Sequence, residues 1–193
     1  MLRLKLPTDP RWVNIAEKNI DEILTDHAFC EQKAASSAIS FIVQYPELEE
    51  LVDAMAALAR EEMEHFQRVH EHIQKRGLKL GRERKDDYVR DLRKFFTGGN
   101  RTQNLVHQLL LAAMIEARSC ERFRLLSENI ADEDLSAFYA DLMKSEAMHY
   151  TMFLEFARKY GKDEMDVDAL WSKFLDYEAT VIAKYGTKEH IHG

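Results

Sequence analysis

Four long stretches of this sequence place apolar side chains three or four residues apart, which is the period of an amphipathic α-helix. Only 7 glycines and 3 prolines occur in 193 residues, too few for the many turns of a strand-rich fold. The sequence therefore predicts an all-α protein. The expected long helices run to about Gln44, from Pro46 to near Gly77, from Asn100 to about Ile130, and from Asp132 to Gly161.

Weaker patterns predict short helices at about 10–18, 86–95 and 167–184. The helical pattern is largely lost over 77–99, so this stretch is expected to be a long crossover. Two helix pairs joined by one long crossover have the connectivity of a ferritin-like four-helix bundle. We therefore expect residues 1–193 to form a single ferritin-like domain, a four-helix bundle with extra short helices at its ends.

The apolar face of each long helix is interrupted near its middle by acidic or imidazole side chains. In the first and third helices the interruption is a single glutamate. In the second and fourth it is a Glu-x-x-His pair, and residues three apart lie on one helical face. The second set follows the first at an almost constant interval along the chain, which indicates a duplicated half-site. The two sets are Glu31, Glu62 and His65, and Glu116, Glu146 and His149.

The glutamates also lie at matching depths in their helix pairs. Glu31 precedes the turn at Tyr45 by nearly the same stretch of chain as that by which Glu62 follows it. Glu116 and Glu146 flank the turn near Ala131 at equal separations. At about 1.5 Å per residue, each glutamate lies roughly 20–25 Å from its turn. Antiparallel neighbours therefore bring their carboxylates to nearly the same level.

Four carboxylates buried together repel one another unless they are protonated or bind cations. Two ferrous ions would neutralise them while both histidines stay uncharged, and this ligand chemistry suits iron or manganese. The alternative, salt-bridging glutamates on charged helix faces, fits the apolar setting and the duplication poorly. A third Glu-x-x-His, Glu189 with His192, has no glutamate before it at the interval found in the other two sets and is interpreted as a coincidence. The sequence thus predicts two iron ions, held by the six residues of the two sets.

The cysteines and the apolar segments restrict the protein class further. Cys30 and Cys120 form no Cys-x-x-Cys pair, so neither a disulfide framework nor a rubredoxin-type iron site is expected. We find no signal peptide or membrane-spanning segment and expect a cytoplasmic protein without a membrane partner. Three further residues lie near the predicted ligands. Cys120 is interpreted as a small core residue rather than a redox thiol, and Tyr139 as a core residue rather than a residue of electron transfer. His27 either supports a ligand or is a plain core residue.

Charge is distributed unevenly along the chain. The net charge is −7, yet residues 75–101 hold ten Lys/Arg against four Asp/Glu, a local charge of +6. Basic patches bind nucleic-acid phosphates, although a solvated loop without a specific role is an equal alternative. Tyr88, Phe95 and Phe96 in this stretch either stack on a base or anchor the crossover to the helices. The candidate substrate-binding residues are Arg76, Lys79, Arg82, Arg84 and Lys85.

Three segments around the predicted ligands resemble a known family. The strings HAFCEQKAAS at 27–36, IEARSCERF at 115–123 and SEAMHY at 145–150 are similar to those of the tRNA-(2-methylthio-isopentenyladenosine) hydroxylases. The resemblance covers about residues 7–160. It implies a non-haem diiron monooxygenase that uses O₂ and an external electron donor to hydroxylate the isopentenyl side chain of a modified adenosine beside the tRNA anticodon. It also implies tRNA and an electron-transfer reductase as partners, and a monomer or small oligomer.

The same resemblance suggests roles for the ligands: Glu62 and Glu146 as bridges, Glu31 with His65 on one iron, and Glu116 with His149 on the other. Small residues one helical turn from the single glutamates either leave room for oxygen and the isoprenoid tail or serve close helix packing. These residues are Ala34, Ala35, Ala112 and Ala113.

Two other functions compete with the hydroxylase. Ferritin-like proteins that oxidise iron or reduce peroxide share the duplicated ligand pattern, so the ligands alone do not separate these classes. A metal-free helical interaction module is the second alternative. A 24-subunit cage would favour iron storage, whereas a monomer or small oligomer would favour the tRNA enzyme.

Overall fold

The computed structural model describes residues 2–85, 87–185 and 191 of the chain. All regular secondary structure in these residues is α-helical, as the scarcity of glycine and proline predicts. Each predicted helix is confirmed, with ends that differ by about two or three residues. The helices are α1 (Trp12–Lys18), α2 (Ile20–Gln44), α3 (Glu49–Lys75), α4 (Asp87–Arg93), α5 (Arg101–Asn129), α6 (Glu133–Gly161) and α7 (Val167–Tyr185).

The described residues divide into two compact units. The α2–α3 unit comprises residues 18–85 and Ile191, and the α5–α6 unit comprises residues 2–17 and 87–185. In the first, α2 and α3 pack along each other as a hairpin. The turn between them is fixed by the buried Tyr45, whose ring lies 6.5 Å from that of Phe41. Apolar residues of these two helices, including Leu24, Leu51 and Met55, are fully buried.

Helix α3 ends where Gly77 takes a left-handed conformation with φ of 67°. The Gly77 amide donates to the Gln74 carbonyl at 2.9 Å, and the Leu78 amide donates to the Ile73 carbonyl at 3.1 Å. This pair of hydrogen bonds is the Schellman motif, and a residue with a Cβ would be strained in its left-handed position. The chain therefore leaves the helix sharply and enters the crossover.

The first part of the crossover, residues 78–85, runs back along α2. The Gly81 amide donates to the Thr25 hydroxyl at 3.3 Å, and Lys33 Nζ donates to the Arg84 carbonyl at 3.4 Å. The Arg84 guanidinium in turn lies 3.0 Å from the Glu22 carboxylate. These contacts hold a segment without regular secondary structure against the hairpin.

The α5–α6 unit contains the second hairpin, and each of its helices begins at a predicted cap. Asn100 and Gln103 form a reciprocal capping box, and the Asp132 carboxylate accepts a hydrogen bond from the Leu135 amide at 3.0 Å. Helix α4 packs against α5 and α7, and α7 also packs against α6. Helix α5 consequently carries many buried residues between Leu105 and Leu126.

Gly161 ends α6 as predicted, but close packing explains the glycine better than a left-handed turn does. A Cβ at this position would lie 2.5 Å from Val167 Cγ2 and 3.0 Å from Val106 Cγ2. Any larger side chain would push these apolar neighbours apart.

A buried charged network on α5 was not predicted. Arg118, which is fully buried, donates to Glu121 and to Glu178, each at 2.5 Å. Glu121 also accepts hydrogen bonds from the Thr8 amide and hydroxyl, at 3.1 and 2.7 Å. Tyr88 on α4 donates to Glu178 at 2.8 Å. The network therefore ties the segment before α1, helix α4 and helix α7 to the middle of α5.

None of the helices in the described residues combines the length and the low charge that crossing a lipid bilayer requires.

Candidate metal centre

The α2–α3 unit brings together the three ligands predicted for the first half-site. Glu31, Glu62 and His65 are 4%, 1% and 3% exposed, and a potential ligand atom from each lies within 4.8 Å of the other two. His65 Nδ1 lies 3.3 Å from Glu62 Oε2 and 3.8 Å from Glu31 Oε2. The ring nitrogen that faces the carboxylates is therefore Nδ1.

His27, one turn before Glu31 on α2, is in direct contact with this half-site. Its Nε2 lies 2.6 Å from Glu31 Oε1, and the histidine is fully buried. An ionised carboxylate only accepts hydrogen bonds, so His27 Nε2 carries the proton and donates it. Of the two roles left open for His27, the structure supports that of a residue that supports the ligand.

Glu31 and His65 shift each other's pKa within this half-site. Burial alone would raise the pKa of Glu31, but hydrogen bonds from His27 and His65 outweigh burial and hold that pKa well below its usual range. Burial would lower the pKa of His65, whereas the Glu31 and Glu62 carboxylates raise it to about 9. The Glu31 carboxylate thus stays ionised and attracts positive charge, which is the environment a metal cation needs.

The α5–α6 unit holds the second half-site in the same manner. Glu116, Glu146 and His149 are 5%, 3% and 4% exposed, and a potential ligand atom from each lies within 4.8 Å of the other two. His149 Nδ1 lies 3.8 Å from Glu116 Oε2, the same separation as between His65 and Glu31. All six predicted ligands are therefore buried, and each triad converges as its helical spacing requires.

The chemistry of the donors fits iron. Each half-site supplies two carboxylates and one imidazole, a set suited to iron or manganese rather than to metals that prefer thiolates. Two buried carboxylates without a counter-cation would repel each other at high cost in free energy. The residues present therefore fit the metal that the sequence predicts.

Cys120 lies one turn after Glu116 and is 7% exposed. Its Sγ donates a weak hydrogen bond to the Met143 carbonyl at 3.5 Å. Burial, reinforced by the Glu116 carboxylate, raises the pKa of the thiol to about 11. A protonated, buried thiol behaves as a small core residue rather than as a nucleophile or metal ligand.

Tyr139 packs in the core of its unit, with its ring centroid 5.3 Å from those of both Phe123 and Phe138. Among the small residues near the single glutamates, Ala35 and Ala113 are buried, while Ala34 and Ala112 are half-buried. This placement is compatible with both close helix packing and room for substrate.

The five candidate substrate-binding residues fall into two groups. Lys79, Arg82 and Lys85 are exposed. Arg76 and Arg84 are half-buried: Arg76 bonds to the His72 carbonyl at 3.1 Å, and Arg84 pairs with Glu22. Arg76 therefore belongs to the end of α3 and Arg84 to the contacts that hold the crossover, whereas the charges of Lys79, Arg82 and Lys85 face solvent.

The aromatic residues of the crossover anchor it to the helices, as one of the two alternatives predicts. Tyr88 is 1% exposed and bonds to Glu178. The rings of Phe95 and Phe96 lie 5.1 and 4.6 Å from that of Phe174 on α7. Their faces are thus occupied by protein.

Comparison with known proteins gives consistent results over nearly the whole chain. The sequence profile of the family described as tRNA-(MS[2]IO[6]A)-hydroxylase (MiaE) matches residues 2–193. A tRNA 2-(methylsulfanyl)-N(6)-isopentenyladenosine(37) hydroxylase of Pseudomonas putida is 40% identical over 164 residues, covering 85% of this chain and 78% of the relative. A protein of the same name from Salmonella typhimurium is 29% identical over an alignment of 238 residues, covering 98% of this chain and 87% of that relative.

A solved structure matches as well. A Synechococcus protein described as "Protein 43 with aldehyde deformylating oxygenase activity" superposes with a TM-score of 0.84 and 32% sequence identity, covering 98% of this chain and 95% of that one. The all-α, ferritin-like fold class predicted from the sequence is thereby confirmed.

Proposed function

Since this chain belongs to the tRNA-(MS[2]IO[6]A)-hydroxylase (MiaE) family, we propose that it uses two iron ions, held by its two half-sites, to hydroxylate 2-methylthio-isopentenyladenosine next to the anticodon of tRNA. The position hydroxylated is on the isopentenyl side chain. The observation that carries the proposal is the pair of buried triads, each with two carboxylates and a histidine, in a chain whose relatives are named as hydroxylases of this nucleoside. The protein is an enzyme of the oxygenase class.

In this proposal each half-site contributes three ligands to the pair of irons, and the whole chain acts as one ferritin-like domain. The ligands are Glu31, Glu62 and His65 in the α2–α3 unit, and Glu116, Glu146 and His149 in the α5–α6 unit. Bound iron would supply the activation of O₂ that protein side chains cannot provide. The protein fixes the ligands in an apolar interior and excludes competing reactions.

The balance of the reaction implies a further partner. Inserting one oxygen atom of O₂ into a C–H bond leaves the other as water, and this requires two electrons and two protons from outside the substrate. The described residues include no Cys-x-x-Cys site and no close cysteine pair that could store these electrons. We therefore propose an external electron-transfer reductase as a partner, and a cytoplasmic location in which tRNA is accessible.

The exposed cations of the crossover would attract the tRNA backbone. Lys79, Arg82 and Lys85 lie in the irregular segment 78–85, which is held against α2. Spaced cations of this kind bind phosphates without reading sequence. Recognition of the nucleoside itself would then depend on the site that holds the iron.

The competing functions have weaker support. Iron oxidation or peroxide reduction could use the same ligands, but the matched family and both curated relatives are named as tRNA hydroxylases. A metal-free interaction module would leave four ionisable glutamates buried, which is costly without a cation.

Mass spectrometry of tRNA nucleosides tests the proposal directly. Hypomodified tRNA would be incubated with iron-loaded protein, O₂ and a chemical or enzymatic reductant, and then digested to nucleosides. We expect the 2-methylthio-isopentenyladenosine peak to decrease and a peak heavier by one oxygen atom to appear. The same mixture with the Glu62→Ala and His149→Ala variants is the control. An unchanged nucleoside profile with fully loaded protein would contradict the substrate assignment.

A further inference from the structure

The two half-sites have equivalent ligands, but the residues that support those ligands differ. The shift along the chain that relates Glu31 to Glu116 places Ala112 where α2 has His27. His27 Nε2 donates to Glu31 Oε1 at 2.6 Å, with both groups buried. Ala112 has no polar side chain. The Glu116 carboxylate lies 3.8 Å from His149 Nδ1, which is beyond hydrogen-bond distance.

The residues next to the two histidine ligands also differ, and again the charged one lies in the α2–α3 unit. The shift that relates His65 to His149 places Ser145 where α3 has Glu61. Glu61 Oε1 lies 3.9 Å from His65 Nε2, the ring nitrogen opposite the one that faces the other ligands. At this distance the carboxylate makes no direct hydrogen bond but places negative charge beside the ring. Ser145 carries no charge at the equivalent position.

From these two differences we infer that the half-sites bind iron with unequal affinity, and that His27 is the positioning residue that makes the α2–α3 half-site the tighter one. The inference rests on the proposed diiron function and extends it. Both supporting residues, His27 and Glu61, lie in the α2–α3 unit, and their counterparts in the α5–α6 unit are alanine and serine.

The physical reason is preorganisation. A carboxylate held by a buried hydrogen bond loses little further freedom when a metal binds, whereas a carboxylate without such a bond must be ordered by the metal. Loss of an outer hydrogen-bond partner typically lowers metal affinity about 10–100-fold. The Glu116 carboxylate is accordingly freer to change its binding mode, and its half-site should fill second and empty first.

Anaerobic titration of the metal-free protein with Fe²⁺, in which the heat of binding is measured by calorimetry, tests this inference. We expect two binding phases in the unmodified protein, with dissociation constants that differ by about tenfold or more. His27→Ala should weaken the tighter phase about 10–100-fold and leave the weaker phase little changed. Mössbauer spectra with a single equivalent of ⁵⁷Fe should show one iron environment before the substitution and a mixture after it.

Two further variants separate positioning from a general structural effect. His27→Gln retains an N–H donor and should restore much of the affinity difference, whereas His70→Ala removes a histidine elsewhere on α3 and should change neither phase. Circular dichroism checks the fold of each variant. Two phases of equal affinity, or a His27→Ala variant with both phases intact, would overturn the inference. Failure of any variant and of the unmodified protein to bind Fe²⁺ would instead contradict the diiron proposal on which it rests.

Discussion

At the scale of single residues, the proposed metal ligands occupy positions that a helix in a protein core usually gives to leucine or alanine. Glu62 on α3 lies one turn from Leu58 on the same helical face, and both are almost fully buried. Periodicity predicted this burial because charged residues interrupt an otherwise apolar face. In the proposed function, a bound cation rather than packing explains the burial of Glu62 and its partners.

Removal of one such ligand should remove iron. We expect Glu62→Ala or His149→Ala to lower the iron content from about two ions per chain to one or none, and to abolish hydroxylation, because each half-site has only three protein ligands. Iron analysis after anaerobic reconstitution measures the content. The matched control is Glu64→Ala, which removes an exposed carboxylate from the same helix and should leave the iron content unchanged. Full iron content in both ligand variants would show that the ligand set is wrong.

A second residue-scale prediction concerns stability rather than metal. Glu178→Ala should lower the free energy of unfolding by about 3–5 kcal/mol, because it leaves the buried Arg118 guanidinium without one of its two carboxylates. Urea denaturation of the metal-free protein measures this change. Asp176→Ala, on the same helix as Glu178, removes only an exposed ion pair with Lys5 and should cost less than about 0.5 kcal/mol. Equal effects of the two substitutions would contradict the importance assigned to the network.

At the scale of elements, the sequence predicted the helices well and their environments unevenly. Apolar spacing located every long helix, and Asn100 and Asp132 cap α5 and α6 as predicted. The charged network of Arg118 was not predicted, because Arg118 and Glu121 look like an exposed ion pair on a polar helix face. They are buried because three other segments pack on that face, and no local pattern encodes contacts between positions so far apart in the chain. The sequence offers only the presence of Arg118 and Glu121 three residues apart on α5, which does not distinguish a buried pair from an exposed one.

The crossover offers a prediction about tRNA. Changing Lys79, Arg82 and Lys85 together to glutamine should weaken tRNA binding and reduce the slope of log affinity against log salt by about one to three units. Filter binding or fluorescence anisotropy at several salt concentrations measures both quantities. The control is a triple glutamine variant at Lys162, Lys173 and Lys184, which removes the same charge from exposed positions on α7 and just after α6. Equal losses in the two triple variants would indicate a general charge effect and no specific surface.

Arg84 should behave differently from its basic neighbours. Its guanidinium pairs with Glu22, and its carbonyl accepts a hydrogen bond from Lys33. Arg84→Gln is therefore expected to loosen residues 78–85, seen as faster amide hydrogen exchange there. The sequence does not separate the exposed cations of the crossover from the half-buried ones, because all five candidate residues belong to one basic run.

At the scale of the whole molecule, the family assignment separates this chain from ferritin-like storage proteins. We expect light scattering after size-exclusion chromatography to give a monomer or a small oligomer of the 22.6 kDa chain, with or without iron. A tRNA hydroxylase must leave its iron site accessible to a large substrate, whereas storage requires an enclosed shell. A 24-subunit particle would contradict the proposed function.

The Arg118 network also makes the stability of the α5–α6 unit depend on the residues that precede α1. The Arg118 guanidinium donates to the Leu6 carbonyl, and the Thr8 amide and hydroxyl donate to Glu121. Residues 6–8 therefore help to solvate charges that are buried in the interior. Removal of residues 6–8 would take these groups away and leave part of the buried charge unsolvated. Proteolytic cleavage in this segment is therefore expected to destabilise the α5–α6 unit without changing any of its proposed metal ligands.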